Sequence, residues 1–140
     1  MLKQDHFICA ELVCMGWRFG QKYGGGNGSH LAGQLVMHAL ANRTRAGWGS
    51  WLQVLQRVPL FMAEKELPPL AYPGVWDAGF VKLLHVVEGI YDGSMPDLAK
   101  GGLYWGELGH IENPWFQEKI VNEHEVHPRV CDMNALSFWK

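Results

Sequence analysis

The stretch from Ser29 to Trp48 constrains the fold more than any other part of the chain. Ser29 stands where an N-cap acceptor is required, and Gly47 is the kind of residue that ends a helix. The apolar residues between them repeat at the spacing that lines one face of an α-helix, and they are Leu31, Ala32, Leu35, Val36, Ala39 and Leu40. The pattern therefore predicts one helix with an apolar face that needs a core to pack against.

The same helix carries a row of polar residues near its end. His38, Asn42 and Arg45 follow one another at i, i+4 and i+7, and Arg43 lies beside them. Such a row either faces solvent or binds a ligand or another part of the chain. A buried Asn and Arg at a helix end commonly bind the carbonyl groups of a neighbouring loop, so Asn42 and Arg43 have a structural interpretation as well as a binding one.

Length and composition limit the fold and the class of function. The 140 residues suffice for one domain, 1–140, with its own core. A net charge of -2 without a basic stripe argues against nucleic-acid binding. We expect no membrane span, because no apolar run reaches the roughly 20 residues it requires. The three cysteines form no CxxC pair and are expected to be reduced thiols.

Residues Asp5 to Phe19 predict a first helix that is apolar nearly all round and therefore central in the fold. Glu11 is the ionisable residue that interrupts this pattern. A carboxyl group buried among apolar side chains has a raised pKa, which suits a general acid at neutral pH. Alternatively, Glu11 lies on a narrow exposed strip or pairs with an arginine.

Other segments extend the helical part of the chain. Glycine and proline residues separate these segments, and capping residues indicate two helix ends. The pattern predicts a glycine-rich loop from Gly20 to Ser29, a helix from Trp51 to Val58, a broken turn over Leu60 to Leu67, a proline-rich surface segment to Gly74, and a helix from Val75 to Tyr91 that Asp92-Gly93 ends.

From Gly101 onward the apolar runs become short and aromatic. Gly102 to Trp105 and Leu136 to Trp139 are too short for helices and have the flanking residues typical of strands. A short helix is predicted from Trp115 to Val121. The fold class is therefore α+β, mostly helical with a small antiparallel sheet near the C-terminus.

The residue types favour carboxylate chemistry over other kinds of catalysis. His124 and His127 lie three residues apart, but no HExxH motif or zinc-spaced thiolate pair accompanies them, so neither a metal nor another cofactor is expected. Glu11, Glu107 and Glu112 lie in the most aromatic or apolar surroundings. Cleavage of a glycosidic bond requires only one or two carboxyl groups in an aromatic cleft.

Five short motifs follow one another along almost the whole chain. They are Gly33-Gln34 to Asn42-Arg43, Gly102-Leu103-Tyr104-Trp105, Pro114-Trp115-Phe116, His127-Pro128-Arg129-Val130 and Ser137-Phe138-Trp139. In this order the set resembles the SleB-like cell-wall hydrolases, which are lysozyme-like domains of spore-cortex lytic enzymes and of many phage genomes.

The resemblance implies a lysozyme-like fold and a lytic transglycosylase or muramidase action on peptidoglycan glycan strands, with one glutamate as general acid and base. With Arg18 matched to the arginine of the family's Glu-Ala-Arg-Gly-Glu motif, the catalytic glutamate falls on Gly16 and the second glutamate on Gly20. Glu11 and Glu107 are the candidate replacements. The expected groove contains Tyr104, Trp105 and Trp115, and Asn42 and Arg43 frame it.

The alternative is a descendant that has lost catalysis and serves as a structural, assembly or wall-binding protein of a phage particle. Its partners would then include other virion proteins or further copies of the chain. The first residues carry no signal-peptide pattern. That fits a phage virion, or the host cytoplasm before release, better than a secreted bacterial enzyme.

Overall fold

The computed structural model describes residues 3–24, 29–57 and 77–140. The helices are α1 (Lys3–Tyr23), α2 (Ser29–Arg45), α3 (Trp51–Gln56), α4 (Ala78–Asp92) and α5 (Pro114–Phe116), the last of which continues as a π-helical turn (Gln117–Val121). The strands are β1 (Tyr104–Glu107), β2 (Arg129–Met133) and β3 (Leu136–Trp139).

The predicted α+β class, mostly helical with a small antiparallel sheet near the C-terminus, is confirmed. The predictions for 58–76, including the broken turn and the proline-rich segment, lie outside the described residues, as does most of the predicted glycine loop. None of the helices in the described ranges is both long and apolar enough to cross a membrane.

Helices α1 and α2 cross at two glycines. A Cβ atom added to Gly33 would collide with the carbonyl oxygen of Gly16, and one added to Gly16 would lie 3.3 Å from the carbonyl oxygen of Gly33. The two backbones can approach this closely only because neither residue has a side chain. Glycine lowers the stability of a helix, so helix propensity does not explain Gly33. Its role is to allow the close packing of α1 against α2.

Helix α2, not α1, is the central element. Every residue from Ala32 to Arg43 is buried, because α1, α3, α4 and the loop before the sheet together cover its circumference. Helix α1 leaves one side exposed, where Phe7 and Glu11 lie. Of the alternatives for Glu11, the structure shows the exposed strip, while the opposite side of α1 is buried in the core.

The helix ends follow the local signals. Helix α2 ends in a Schellman motif in which the Trp48 amide donates to the Arg43 carbonyl at 3.1 Å and Gly47 has a φ of 85°. Ser50 caps α3 in a capping box with Gln53. Gly93, with a φ of 82°, ends α4 as predicted.

The sheet has the order β1-β3-β2, and both pairings are antiparallel. Strands β1 and β3 match the two predicted strands, although β1 begins at Tyr104 rather than Gly102. Strand β2 was not predicted. It is an edge strand with the charged residues Arg129 and Asp132 exposed, so it lacks the apolar alternation by which a strand is identified.

Candidate functional site

The end of α2 is joined to the loop that leads into β1. The Asn42 side chain donates to the Asp97 carboxylate at 2.9 Å and to the Gly102 carbonyl at 3.0 Å. Arg45 donates in turn to the Asn42 side-chain oxygen at 3.1 Å. Asn42 is therefore fixed on both sides of its amide, and it ties the 97–103 loop to the central helix.

Asp97 organises the loop itself. Its carboxylate accepts from the backbone amides of Ala99 at 2.8 Å and Gly101 at 2.7 Å. Between them the chain turns through left-handed backbone conformations, with φ of 51° at Lys100 and 82° at Gly101. Such a conformation is unfavourable for a lysine, so the carboxylate has to hold the turn in place.

Arg43 lies between two tryptophan rings. Its guanidinium carbon is 4.8 Å from the ring centroid of Trp48 and 4.3 Å from that of Trp105, and its Nε donates to the Leu103 carbonyl at 2.7 Å. Burial lowers the pKa of Arg43 to about 9, against a smaller opposing effect of Tyr104. The side chain thus remains cationic at neutral pH, held by cation–π contacts and a hydrogen bond.

Aromatic side chains surround Tyr104 at the start of β1. Its ring centroid lies 5.2 Å from that of Trp48, 6.5 Å from that of Trp115 and 5.5 Å from that of His127. Trp115 is 47% exposed. We call Trp48, Tyr104, Trp115 and His127 the aromatic face. Burial raises the pKa of the Tyr104 hydroxyl, which therefore stays protonated at neutral pH.

The structure brings two of the five predicted binding residues, Tyr104 and Trp115, together on the aromatic face. Trp105 lies on the opposite side of β1, where it packs against Phe19 and Phe138 in the core. It is therefore not a groove residue. Asn42 and Arg43 are buried and bind the loop, which corresponds to the structural interpretation of the polar row.

The two predicted acids lie away from the aromatic face. Glu11 is exposed on α1. Phe19, the residue of α1 that contacts Trp105, lies eight residues further along, which separates it from Glu11 by roughly 12 Å along the helix axis. Glu107 is half-buried at the far end of β1 and, by strand alternation, shares the side of Trp105 rather than that of Tyr104. Neither carboxylate is thus placed beside Tyr104, the centre of the aromatic face.

Gly16, which the resemblance matches to the family's catalytic glutamate, lies inside the α1–α2 crossing. A Cβ added there would meet the Met37 sulfur at 2.6 Å. The position is buried and faces α2, so a longer side chain there would have to displace Met37 and would lie between the two helices.

Sequence reasoning missed Trp48 and did not assign His127 to the face. Trp48 is the residue after the helix-ending Gly47, and the Schellman turn brings it back over Arg43. His127 is positioned from the other side, because its Nδ1 lies 2.9 Å from the Lys140 carbonyl oxygen. An aromatic residue directly after a C-capping glycine was the available signal for Trp48.

Within residues 3–24, 29–57 and 77–140, no group of three or more His, Cys, Asp or Glu side chains is arranged to hold a metal ion. Comparison of the chain with protein-family models, with curated proteins and with solved structures found no match.

Proposed function

We propose that this protein is a non-catalytic relative of the SleB-like cell-wall hydrolases that holds peptidoglycan glycan strands on its aromatic face. The observation that carries the proposal is the cluster around Tyr104. Its ring contacts those of Trp48 and Trp115 at tilts of 57° and 55°, and Trp115 is 47% exposed to solvent. Sugar rings pack their C–H faces on aromatic rings, and half-exposed aromatic side chains supply such surfaces.

The placement of the carboxyl groups supports binding rather than cleavage. General acid catalysis requires a carboxyl group within hydrogen-bond reach of the glycosidic oxygen. Gly16 cannot carry one, and Glu11 lies on the exposed side of α1. A protein of this kind belongs to a phage particle or to the lysis stage of a phage, where it would act at the cell wall.

Cleavage of glycan strands by Glu107 is the second candidate. Glu107 is half-buried, and it ends the strand that begins with Tyr104. In this alternative it would protonate the leaving glycosidic oxygen and then assist capture of the oxocarbenium-like centre.

Trp115→Ala is expected to weaken binding to purified, insoluble peptidoglycan about tenfold, because loss of one aromatic contact of about 1.4 kcal/mol changes the dissociation constant by that factor. Co-sedimentation over a range of peptidoglycan concentrations measures the effect. Phe7→Ala is the matched control, since Phe7 is 55% exposed on α1 and is not part of the aromatic face. Equal binding by all three proteins would refute the proposal.

Turbidity clearance of the same peptidoglycan separates the two candidates. We expect no clearance by the wild type, Glu107→Gln or Glu11→Gln. Clearance by the wild type that Glu107→Gln abolishes would establish the second candidate. Clearance that survives both substitutions would exclude both acids. A role as an assembly protein of a phage particle is tested by measuring the size of the protein in solution. A monomer that releases muropeptides would contradict that role.

A further inference from the structure

His38 is a fully buried histidine at the centre of α2. Neither of its ring nitrogens has a hydrogen-bond partner among the residues that the structure describes. The nearest acidic group is Asp97, whose Oδ1 lies 3.7 Å from His38 Nδ1, beyond hydrogen-bond distance. An imidazole in this position is held next to a carboxylate without being bonded to it.

The Asp97 carboxylate is already shared among three other donors, namely the Asn42 side chain and the backbone amides of Ala99 and Gly101. A charged imidazolium carries two N–H donors and a positive charge, and it would compete with these donors for the carboxylate. A displacement of Asp97 toward His38 would weaken the bonds that hold the left-handed turn at Lys100 and Gly101.

We propose that His38 and Asp97 form a pH-sensitive latch, in which uptake of a proton by His38 draws the Asp97 carboxylate out of the 97–103 loop and releases that loop from α2. Because Tyr104 follows directly after the loop, its release would loosen the start of β1. The latch does not depend on which ligand the aromatic face binds.

The surrounding charges set the direction of the pH dependence. Burial lowers the pKa of His38, Asp97 opposes this effect, and Arg45 on α2 itself adds to it. Among the described residues, the charged groups that act on the imidazole are Asp97 in the loop and Arg45 on α2. The closed state thus keeps His38 neutral, whereas in the open state the imidazolium faces the freed Asp97 carboxylate and takes up its proton at or above the ordinary pKa of about 6.5. Acidification below that value therefore favours the open state.

Amide hydrogen exchange across pH 7.5 to 5, corrected for the intrinsic exchange rate, tests the latch. We expect the protection of the Ala99 and Gly101 amides to fall about tenfold for each pH unit below 6.5, until the pH reaches the pKa of His38 in the closed state. Amides in the middle of α4 should keep their protection. Constant protection of both loop amides in the wild type would overturn the proposal.

His38→Leu is expected to remove this pH dependence, because it replaces two unbonded nitrogens with an apolar side chain of similar size. His38→Gln, which does not titrate, serves the same purpose should the leucine variant fail to fold. His85→Gln is the matched control on the exposed surface of α4 and should behave like the wild type. An undiminished acid-induced loss of protection in the folded His38 variant would contradict the latch.

Direct titration of the His38 ring by NMR in the wild type gives an independent readout. We expect its midpoint below pH 6.5, together with a shift of the Gly101 amide resonance at the same midpoint. A His38 midpoint at or above 6.5, or a Gly101 resonance that does not move with it, would overturn the proposal.

Discussion

Arg43→Ala is expected to lower the free energy of unfolding by about 3–5 kcal/mol, the largest effect of the substitutions considered for this chain. The change removes the guanidinium from between Trp48 and Trp105 and leaves a cavity there. It also leaves the Leu103 carbonyl without the Nε donor at 2.7 Å. Urea unfolding followed by tryptophan fluorescence measures the change.

Two variants separate the contributions at this site. Arg43→Lys keeps the positive charge but loses the planar group that stacks on both rings, so its loss of stability should remain well above 1 kcal/mol. Lys82→Ala is the control, since Lys82 is an exposed cationic residue of α4, away from the 97–103 loop network. Its effect should stay within about 1 kcal/mol. Equal stability of Arg43→Lys and the wild type would show that charge, not stacking, holds this part of the fold.

Gly33→Ala is expected to lower the free energy of unfolding by about 2 kcal/mol. The new methyl group would meet the Gly16 carbonyl, and the two backbones can relieve this contact only by moving apart. Overpacking of this kind costs up to about 3 kcal/mol, from which the gain in helix propensity of about 1 kcal/mol has to be subtracted. Chemical denaturation at neutral pH measures the difference.

Gly89→Ala in α4 is the matched control for the helix crossing. Its added Cβ would lie 3.2 Å from the Cβ of Met95, a side-chain atom, whereas Gly33 meets a backbone carbonyl. We expect a change within about 1 kcal/mol of zero, in either direction. A Gly33→Ala protein as stable as Gly89→Ala would mean that the α1–α2 crossing is not close-packed.

The same crossing bears on the resemblance to the cell-wall hydrolases. A glutamate at position 16 would place a carboxylate between two packed helices, where a charge without a partner is strongly unfavourable. Restoring the family's acid at this position should therefore unfold the protein rather than restore catalysis. The proposal of a binding protein without cleavage is consistent with this packing.

Asn42 and Arg43 connect the end of α2 to the 97–103 loop. Both residues lie in the last turn of α2, and both bind the 97–103 loop, some 60 residues further along the chain. Such distant bonds have no local signature, so the polar row alone left both a ligand and a loop as possible partners. The bonds themselves decide for the loop, because buried amide and guanidinium groups require partners.

The elements whose ends depend on local chemistry can be predicted from the amino-acid sequence. Gly47 and Gly93 end α2 and α4, and Ser50 begins α3, because capping and left-handed turns involve only neighbouring residues. The short aromatic runs likewise predict β1 and β3, because aromatic residues favour strands and the runs are too short for helices.

Which surfaces are buried and which residues are in contact depends on how the helices and the sheet pack together. Periodicity identifies the apolar face of a helix but does not show how much of that helix its neighbours cover. It therefore could not predict that α2 is buried over most of its length or that Glu11 of α1 is exposed to solvent. The approach of Trp48 to Tyr104 and of His38 to Asp97 joins segments that lie far apart in sequence. Those contacts depend on the packing of whole elements, which no local pattern encodes.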